Sequence, residues 1–157
     1  MEIFKIENLS FTYPLNNEKR VLDNINLNIN SGEFVVLCGN SGCGKTTLIK
    51  QLKPSLTPHG ILEGDVFYKN QLIKNLDLRS EASKIGYVFQ NPDNQIVTDK
   101  VWHELAFGLE SLGYDNEVIR VRVCEMASYF GIEKWFYKNV TELSGGQKQL
   151  LNLASIM

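Results

Sequence analysis

Two stretches within the first thirty residues alternate between apolar and polar side chains. The alternation in residues 2–13 is imperfect and predicts a strand with one solvated face. Residues 21–33 alternate more regularly, with isoleucine or leucine at one set of positions and asparagine at the other. A period of two predicts an antiparallel, half-buried strand.

The alternation stops after a turn signal at Ser31 and Gly32. Residues 34–38, FVVLC, are continuously apolar, and residues 85–89, IGYVF, form a second short apolar run. Runs of this kind are typical of strands buried on both faces of a parallel sheet. The pattern therefore predicts that the fold changes character at Gly32.

Helical periodicity follows in four places. A helix is expected from Lys45 to about Leu52, because proline at position 54 disfavours helical geometry in the residue before it. Two more helices, with a break at residues 113–116, predict an inserted helical unit at roughly residues 98–136, and a fourth follows residue 144. The apolar positions of the two inserted helices are Val101, Leu105, Leu109, Leu112, then Ile119, Val123, Met126, Ala127, Phe130.

The segment between the first apolar run and the first helix fits a phosphate-binding loop. It matches G-x-x-x-x-G-K-[ST] at every fixed position, and it follows a predicted strand and opens a predicted helix. Glycines let the backbone curl so that several N–H groups converge on phosphates, Lys45 can reach the β and γ phosphates, and the Thr46 hydroxyl can bind Mg²⁺. The loop residues are Gly39, Asn40, Ser41, Gly42, Cys43, Gly44, Lys45, Thr46.

A second glycine pair lies in LSGGQ, residues 143–147. Ser144 is a natural N-cap and Gln147 follows three residues later, which is the capping-box pattern. Ordinary capping is therefore an open alternative for this segment. Capping leaves Gly145 and Gly146 unexplained, whereas a backbone that another group approaches closely would need them.

Composition excludes several classes of function. With 157 residues, 43% of them hydrophobic, the chain can bury a core, and a net charge of −2 without a basic run argues against binding nucleic acid. Apolar runs of about five residues are far shorter than the ~20 that cross a bilayer, and no signal peptide is visible. Together these features predict a globular protein of the cytosol.

The two glycine motifs, with Gln90 at a predicted strand end between them, occur in the order and approximate spacing of the ATP-binding-cassette (ABC) ATPases. The whole chain resembles that family. Residues 88–97, VFQNPDNQIV, and 101–113, VWHELAFGLESLG, are similar to the ATPase subunits of energy-coupling-factor importers for vitamins and for cobalt or nickel.

The resemblance implies an α/β fold, a P-loop NTPase (RecA-like) core with an antiparallel β-subdomain and an inserted helical subdomain. It divides this partial ATP-binding domain into four regions. These are a mainly antiparallel β-subdomain at 1–32, the P-loop core with β additions at 33–97, the helical subdomain at 98–140, and the signature motif with its helix at 141–157.

The resemblance also implies the roles of particular residues toward ATP and Mg²⁺. Tyr13 stands where the family stacks an aromatic ring on adenine, although a packed strand-end tyrosine would look the same in the sequence. Lys45, Thr46 and Thr47 match the phosphate and Mg²⁺ residues, and Gln90 matches the glutamine that contacts Mg²⁺ and the attacking water. The signature residues that close on the γ-phosphate held by the opposite subunit of a dimer are Ser144, Gly145, Gly146, Gln147.

One family feature has no counterpart here. The family continues beyond its signature helix into an apolar strand ending in Asp-Glu, which supplies the catalytic base, and later into a switch histidine. No such pair follows residue 147, and the acidic candidates Asp65, Asp77, Asp93 and Asp99 all precede the signature. We therefore expect an amino-terminal fragment with an incomplete core sheet that binds ATP and hydrolyses little or none.

The leading hypothesis is an ATP-binding subunit of an ABC-type importer, peripheral at the cytoplasmic face of the membrane. Its expected partners are a second ATPase subunit, identical or related, and a transmembrane transporter subunit, with no nucleic acid. Two alternatives stay open: a soluble ABC-family ATPase not attached to a transporter, and a nucleotide-binding module without turnover.

Overall fold

A computed structural model describes residues 1–14 and 19–157 of the chain. The polypeptide forms two compact units, Met1–Ala82 and Ser83–Met157.

The first unit is built on a four-stranded antiparallel sheet. Its strands are β1 (Glu2–Thr12), β2 (Leu22–Asn30), β3 (Ile61–Tyr68) and β4 (Gln71–Leu72), in the order β2-β1-β3-β4. The prediction of an antiparallel, half-buried β2 is confirmed, because its isoleucine and leucine side chains are partly buried and its asparagines are exposed. Residue Ile6 of β1 lies opposite Leu27, and both side chains face away from the asparagine face of β2.

One helix and the larger part of another belong to this unit, which ends at Ala82. Helix α1 (Lys45–Gln51) begins where the phosphate-loop pattern predicts and ends one residue before Leu52. Helix α2 (Leu78–Lys84) was not predicted, because it has no apolar stripe and its Leu78 side chain is exposed. It is started instead by Asp77, whose carboxylate accepts a hydrogen bond from the Ser80 N–H at 2.9 Å. Hydrogen bonds from Ser80 also hold the pKa of Asp77 below its ordinary value.

The second unit is helical. Its main helices are α3 (Val101–Ser111), α4 (Asn116–Tyr129) and α5 (Gly145–Ser155), with short 3-10 turns at Pro92–Asn94, Glu133–Trp135 and Val140–Glu142. The predicted helical periodicity of α3 and α4 is confirmed, since Ile119, Val123 and Ala127 on α4 are all buried. They join one core with residues from α3, α5 and the connecting turns: Val101, Leu105, Ala106, Ile132, Trp135, Val140, Leu143, Leu151, Ala154.

The prediction of two strands of a parallel sheet is wrong. Residues 34–38 and 85–89 are not strands in the structure, and the Phe34 side chain is 93% exposed. A continuous apolar run becomes a buried strand only when neighbouring strands supply its hydrogen bonds, and in a parallel sheet those neighbours are distant in sequence. The four-stranded sheet of the described residues contains neither run.

Within the described ranges, 1–14 and 19–157, no helix is both long enough and apolar enough to span a bilayer.

Candidate nucleotide site

The phosphate loop lies between the exposed residues 34–38 and the first turn of α1. Gly44 is the N-cap of α1 with φ +97°, a left-handed conformation that disfavours every other residue. A Cβ on Gly44 would also lie 2.8 Å from the carbonyl oxygen of Val21. Gly42 has φ +81° and Gly39 has φ +151°, so all three loop glycines adopt a backbone conformation that other residues rarely take.

Lys45 is folded back over its own loop. Its Nζ donates to the carbonyl oxygens of Gly39 at 2.9 Å and Asn40 at 2.8 Å, and lies 3.7 Å from Cys43 Sγ. The ammonium group is therefore held by the loop that would surround a phosphate. An anion entering this loop would be met by a cation already in position.

Tyr13 follows β1 and contacts α1. Its hydroxyl lies 3.1 Å from Thr47 Oγ1, so one of the two groups donates to the other. Its ring meets the ring of Phe11 edge to face, with centroids 4.9 Å apart. The structure thus brings Tyr13 together with α1, leaving the ring partly exposed beside the phosphate loop.

The arrangement fits a phosphate-bearing ligand and a metal ion carried with it. Thr46 is exposed in the first turn of α1, and its hydroxyl is available as an oxygen ligand. No group of three histidine, cysteine, aspartate or glutamate side chains that could hold a metal exists in the part of the chain that the structure describes.

The other predicted site residues lie in the second unit. Gln90 is exposed and directly precedes Asn91, the N-cap of the turn Pro92–Asn94. The Asn91 side chain accepts a hydrogen bond from the Asp93 N–H at 3.1 Å. The segment is closed by a second contact, in which the Phe89 N–H donates to Gln95 Oε1 at 2.9 Å. Gln90 therefore sits in a short, internally bonded segment.

The signature segment forms the capping box that the sequence predicts. Ser144 Oγ accepts from the Gln147 N–H at 3.4 Å, and Gln147 Oε1 accepts from the Ser144 N–H at 2.9 Å. Gly145 and Gly146 occupy the first turn of α5 without a positive φ, and a Cβ at either would meet nothing within 4 Å. Capping is thus real, and the two glycines are not explained by anything in this unit.

Sequence reasoning missed two residues of this region, Lys148 and Asn152. Lys148 Nζ lies 2.6 Å from Asp93 Oδ1, and Asn152 Nδ2 donates to the carbonyl oxygen of Pro92 at 3.1 Å. These pairs are 55 and 60 residues apart along the chain, so no local pattern signals them.

The fold and the loop define a P-loop nucleotide-binding cassette, and comparison with known proteins gives the family. The sequence profile of the ABC transporter family matches residues 22–157. The chain belongs to the ABC transporter family.

Two curated relatives show the range of similarity. A provisionally named ABC transporter ATP-binding protein of Bacillus cereus (strain ATCC 10987 / NRS 248) is 47% identical over 153 residues, covering 98% of this chain and 28% of the relative. Energy-coupling factor transporter ATP-binding protein EcfA1 of Ligilactobacillus salivarius (strain UCC118) is 40% identical over 157 residues, covering 99% of this chain and 54% of the relative. The chain thus spans between about a quarter and a little over half of the length of these proteins.

Solved structures share the fold. The cbiO1 protein of Clostridium perfringens, described as part of the ABC transporter complex cbiONQ, has a TM-score of 0.84 and 32% identity, covering 99% of this chain and 61% of that one. The ABC cassette MJ0796, solved as a dimer bound to ADP and Pi, has a TM-score of 0.81 and 29% identity, covering 99% of this chain and 69% of that one. The α/β fold class of an ABC ATPase cassette is thereby confirmed.

Proposed function

We propose that the chain is the ATP-binding part of an ABC-type importer, in which ATP binding and hydrolysis at a dimer interface drive solute uptake. The observation that carries this proposal is the phosphate loop. Its glycines hold a backbone that other residues cannot adopt, and Lys45 is already directed into the loop. In the proposal, Lys45 and the loop amides of residues 39–46 bind the phosphates, and Tyr13 stacks on the adenine beside Thr47.

Mg²⁺ has a defined place in this proposal. Bound with the nucleotide, the ion would neutralise charge that develops on the phosphates. Thr46 and Gln90 are the proposed protein ligands, and both side chains are exposed. Gln90 would also orient the attacking water.

A second ATPase subunit and a membrane partner are part of the proposal. The bare, exposed turn at Gly145 and Gly146 suits an anion presented from outside the chain, as the γ-phosphate held by an opposite subunit would be. The names of EcfA1 and of cbiO1 support a transporter subunit, and the dimeric cassette supports a paired arrangement. We place the protein at the cytoplasmic face of the membrane, as a peripheral subunit that contacts a transmembrane transporter protein.

The proposal is tested by removing the loop cation. Lys45→Ala should weaken ATP binding by about 30-fold or more, because truncating one partner of a charged hydrogen-bonded pair costs roughly 2–5 kcal/mol. Binding is measured by titrating the purified chain with a fluorescent ATP analogue and competing with ATP. Lys50→Ala removes the same charge from the last turn of the same helix and should leave the affinity within about twofold. Equal losses in the two variants would contradict the proposal.

A nucleotide-binding module without turnover is the second candidate. Three acidic side chains that precede the signature are engaged elsewhere: Asp65 pairs with Lys74, Asp77 caps α2 and Asp93 pairs with Lys148. The module hypothesis requires that none of these groups acts as a catalytic base. Phosphate release from the polypeptide of these 157 residues, with Lys45→Ala as control, decides between the two, since steady Lys45-dependent release would refute the module.

A further inference from the structure

Two side chains of α5 hold the turn that follows Gln90. Lys148 and Asn152 are four residues apart and therefore lie on one face of the helix, one turn from each other. Lys148 Nζ is 2.6 Å from Asp93 Oδ1, and Asn152 Nδ2 donates to the Pro92 carbonyl oxygen at 3.1 Å. Both contacts reach the same 3-10 turn, Pro92–Asn94. We call these two polar contacts between the turn and α5 the tie.

Hydrophobic packing and solvation alone do not explain the positions of the Lys148 and Asn152 side chains. The Lys148 side chain is only 19% exposed, although a lysine with no partner extends into water. Asn152 is fully buried, and its Oδ1 has no donor within the described ranges. A leucine would fill the same space without an unsatisfied acceptor. The amide of Asn152 is therefore best explained by the hydrogen bond that it donates to Pro92.

The tie extends to Gln90 through the segment that contains it. Gln95 Oε1 accepts from the Phe89 N–H, and the Asn91 side chain caps the turn Pro92–Asn94. Gln90 thus lies between two bonded points of a short closed segment. Fixing the turn against α5 fixes the backbone on both sides of Gln90.

We propose that Lys148 and Asn152 are positioning residues for Gln90, which keep its segment at a set distance from the signature residues 144–147. The part that Gln90 plays in this rests on the proposed function. If a nucleotide binds the signature residues and shifts the N-terminal end of α5, the segment that contains Gln90 would move with the helix. The tie itself exists without nucleotide and can be measured there.

The test follows backbone hydrogen exchange in the nucleotide-free chain by NMR. The reporting amides are those of Asn94, Gln95 and Ile96, whose N–H groups donate within the turn. Lys148→Met should raise their exchange rates about two- to fivefold, as loss of a partly exposed ion pair predicts. Lys134→Met, at an exposed lysine of the same unit, should leave these rates unchanged.

Two further variants separate positioning from general stability. Lys148→Asp combined with Asp93→Lys should restore slow exchange in the turn, because the pair is re-formed with its charges reversed. Asn152→Leu should raise exchange in the turn about two- to fivefold while leaving Tm equal or higher, because an unsatisfied buried acceptor is removed. A residue with only a structural role would lower Tm and raise exchange in α3 and α4 as well.

The proposal is overturned by unchanged exchange in the turn of Lys148→Met or Asn152→Leu, by exchange that rises equally in α3 and α4, or by a charge-reversed pair that fails to restore protection. Failure of the proposed function gives a different result, namely no ATP binding by the unsubstituted chain in the Lys45 experiment. The nucleotide-free exchange rates still decide whether the tie exists.

Discussion

The chain contains two glycine-rich segments, and their glycines differ in backbone conformation and in the space around them. In the phosphate loop, Gly42 and Gly44 have φ of +81° and +97°, and a side chain on Gly44 would collide with the backbone of Val21. In the signature segment, Gly145 and Gly146 have ordinary helical geometry and open space around them. The first pair is required by the chain's own backbone, whereas nothing in residues 1–14 and 19–157 requires the second.

The phosphate-loop glycines are needed by the backbone of the chain itself, whereas the signature glycines are not. Glycine in a helix costs up to about 1 kcal/mol relative to alanine, so two glycines in the first turn of α5 are unfavourable for the fold taken alone. They leave the helix N-terminus bare, which suits the proposed approach of a phosphate from outside the chain.

Modification of Cys43 should give the largest effect and is confined to the first loop. An alkyl group on this exposed thiol fills the loop, and ATP should bind about 100-fold more weakly, since each lost charge-assisted hydrogen bond is worth roughly 1.5–3 kcal/mol. Bound ATP should in turn slow the labelling, followed by mass spectrometry. Cys124, exposed on α4, serves as the internal control whose labelling rate should not change. Equal labelling rates of Cys43 with and without ATP would contradict the prediction that ATP occupies this loop.

Gly44→Ala tests whether the first glycines are required by the backbone. The free energy of unfolding should fall by about 1–3 kcal/mol, because alanine is strained at positive φ and its Cβ meets Val21 O. Denaturant titration measures the change. Gly32→Ala is the matched control, since Gly32 has φ +79° with nothing within 4 Å. If both substitutions cost the same, the contact with Val21 is irrelevant.

Ser144→Ala tests the cap of the signature helix. Losing the acceptor for the Gln147 N–H should lower the free energy of unfolding by about 1 kcal/mol. Ser128→Ala, at an exposed position in the last turn of α4, should be neutral or slightly stabilising because alanine has the higher helix propensity. Thermal unfolding of the two variants makes the comparison, and an unchanged Tm for Ser144→Ala would mean that the capping box contributes nothing.

Gly145→Ala and Gly146→Ala should show the smallest effect, and it has the opposite sign. Each should raise the free energy of unfolding by about 0.5–1 kcal/mol, since alanine fits the helical geometry and meets no neighbour. The same thermal unfolding measurement applies. A fall in Tm for either variant would show that the fold requires the signature glycines as well as the phosphate-loop glycines.

Local patterns predicted the elements that depend on neighbours in sequence. The period of two in β2, the buried face of α4 and the capping box at Ser144 all rest on contacts within a few residues or on one face of one element. The start of α1 at Lys45 is equally local, because the loop glycines and the helix that follows are consecutive. Each of these predictions is confirmed.

The failures have two physical causes, which are dependence on distant residues and a helix start that carries no hydrophobic pattern. Residues 34–38 carry the composition of a buried strand, yet burial and strand pairing need partners from elsewhere in the chain. Helix α2 escaped because its hydrophobic pattern is absent and its start depends on a single carboxylate. The proposed nucleotide roles of Tyr13, Gln90 and the signature residues stay predictions.

The sequence by itself determined the family, the two glycine loops and the amphipathic elements, because these are written in residue types at fixed spacing. Only the tertiary structure decided which glycines the backbone requires, where Tyr13 meets Thr47, and that Lys148 and Asn152 hold the turn beside Gln90. These contacts join residues tens of positions apart. Their geometry comes from packing, which periodicity does not encode.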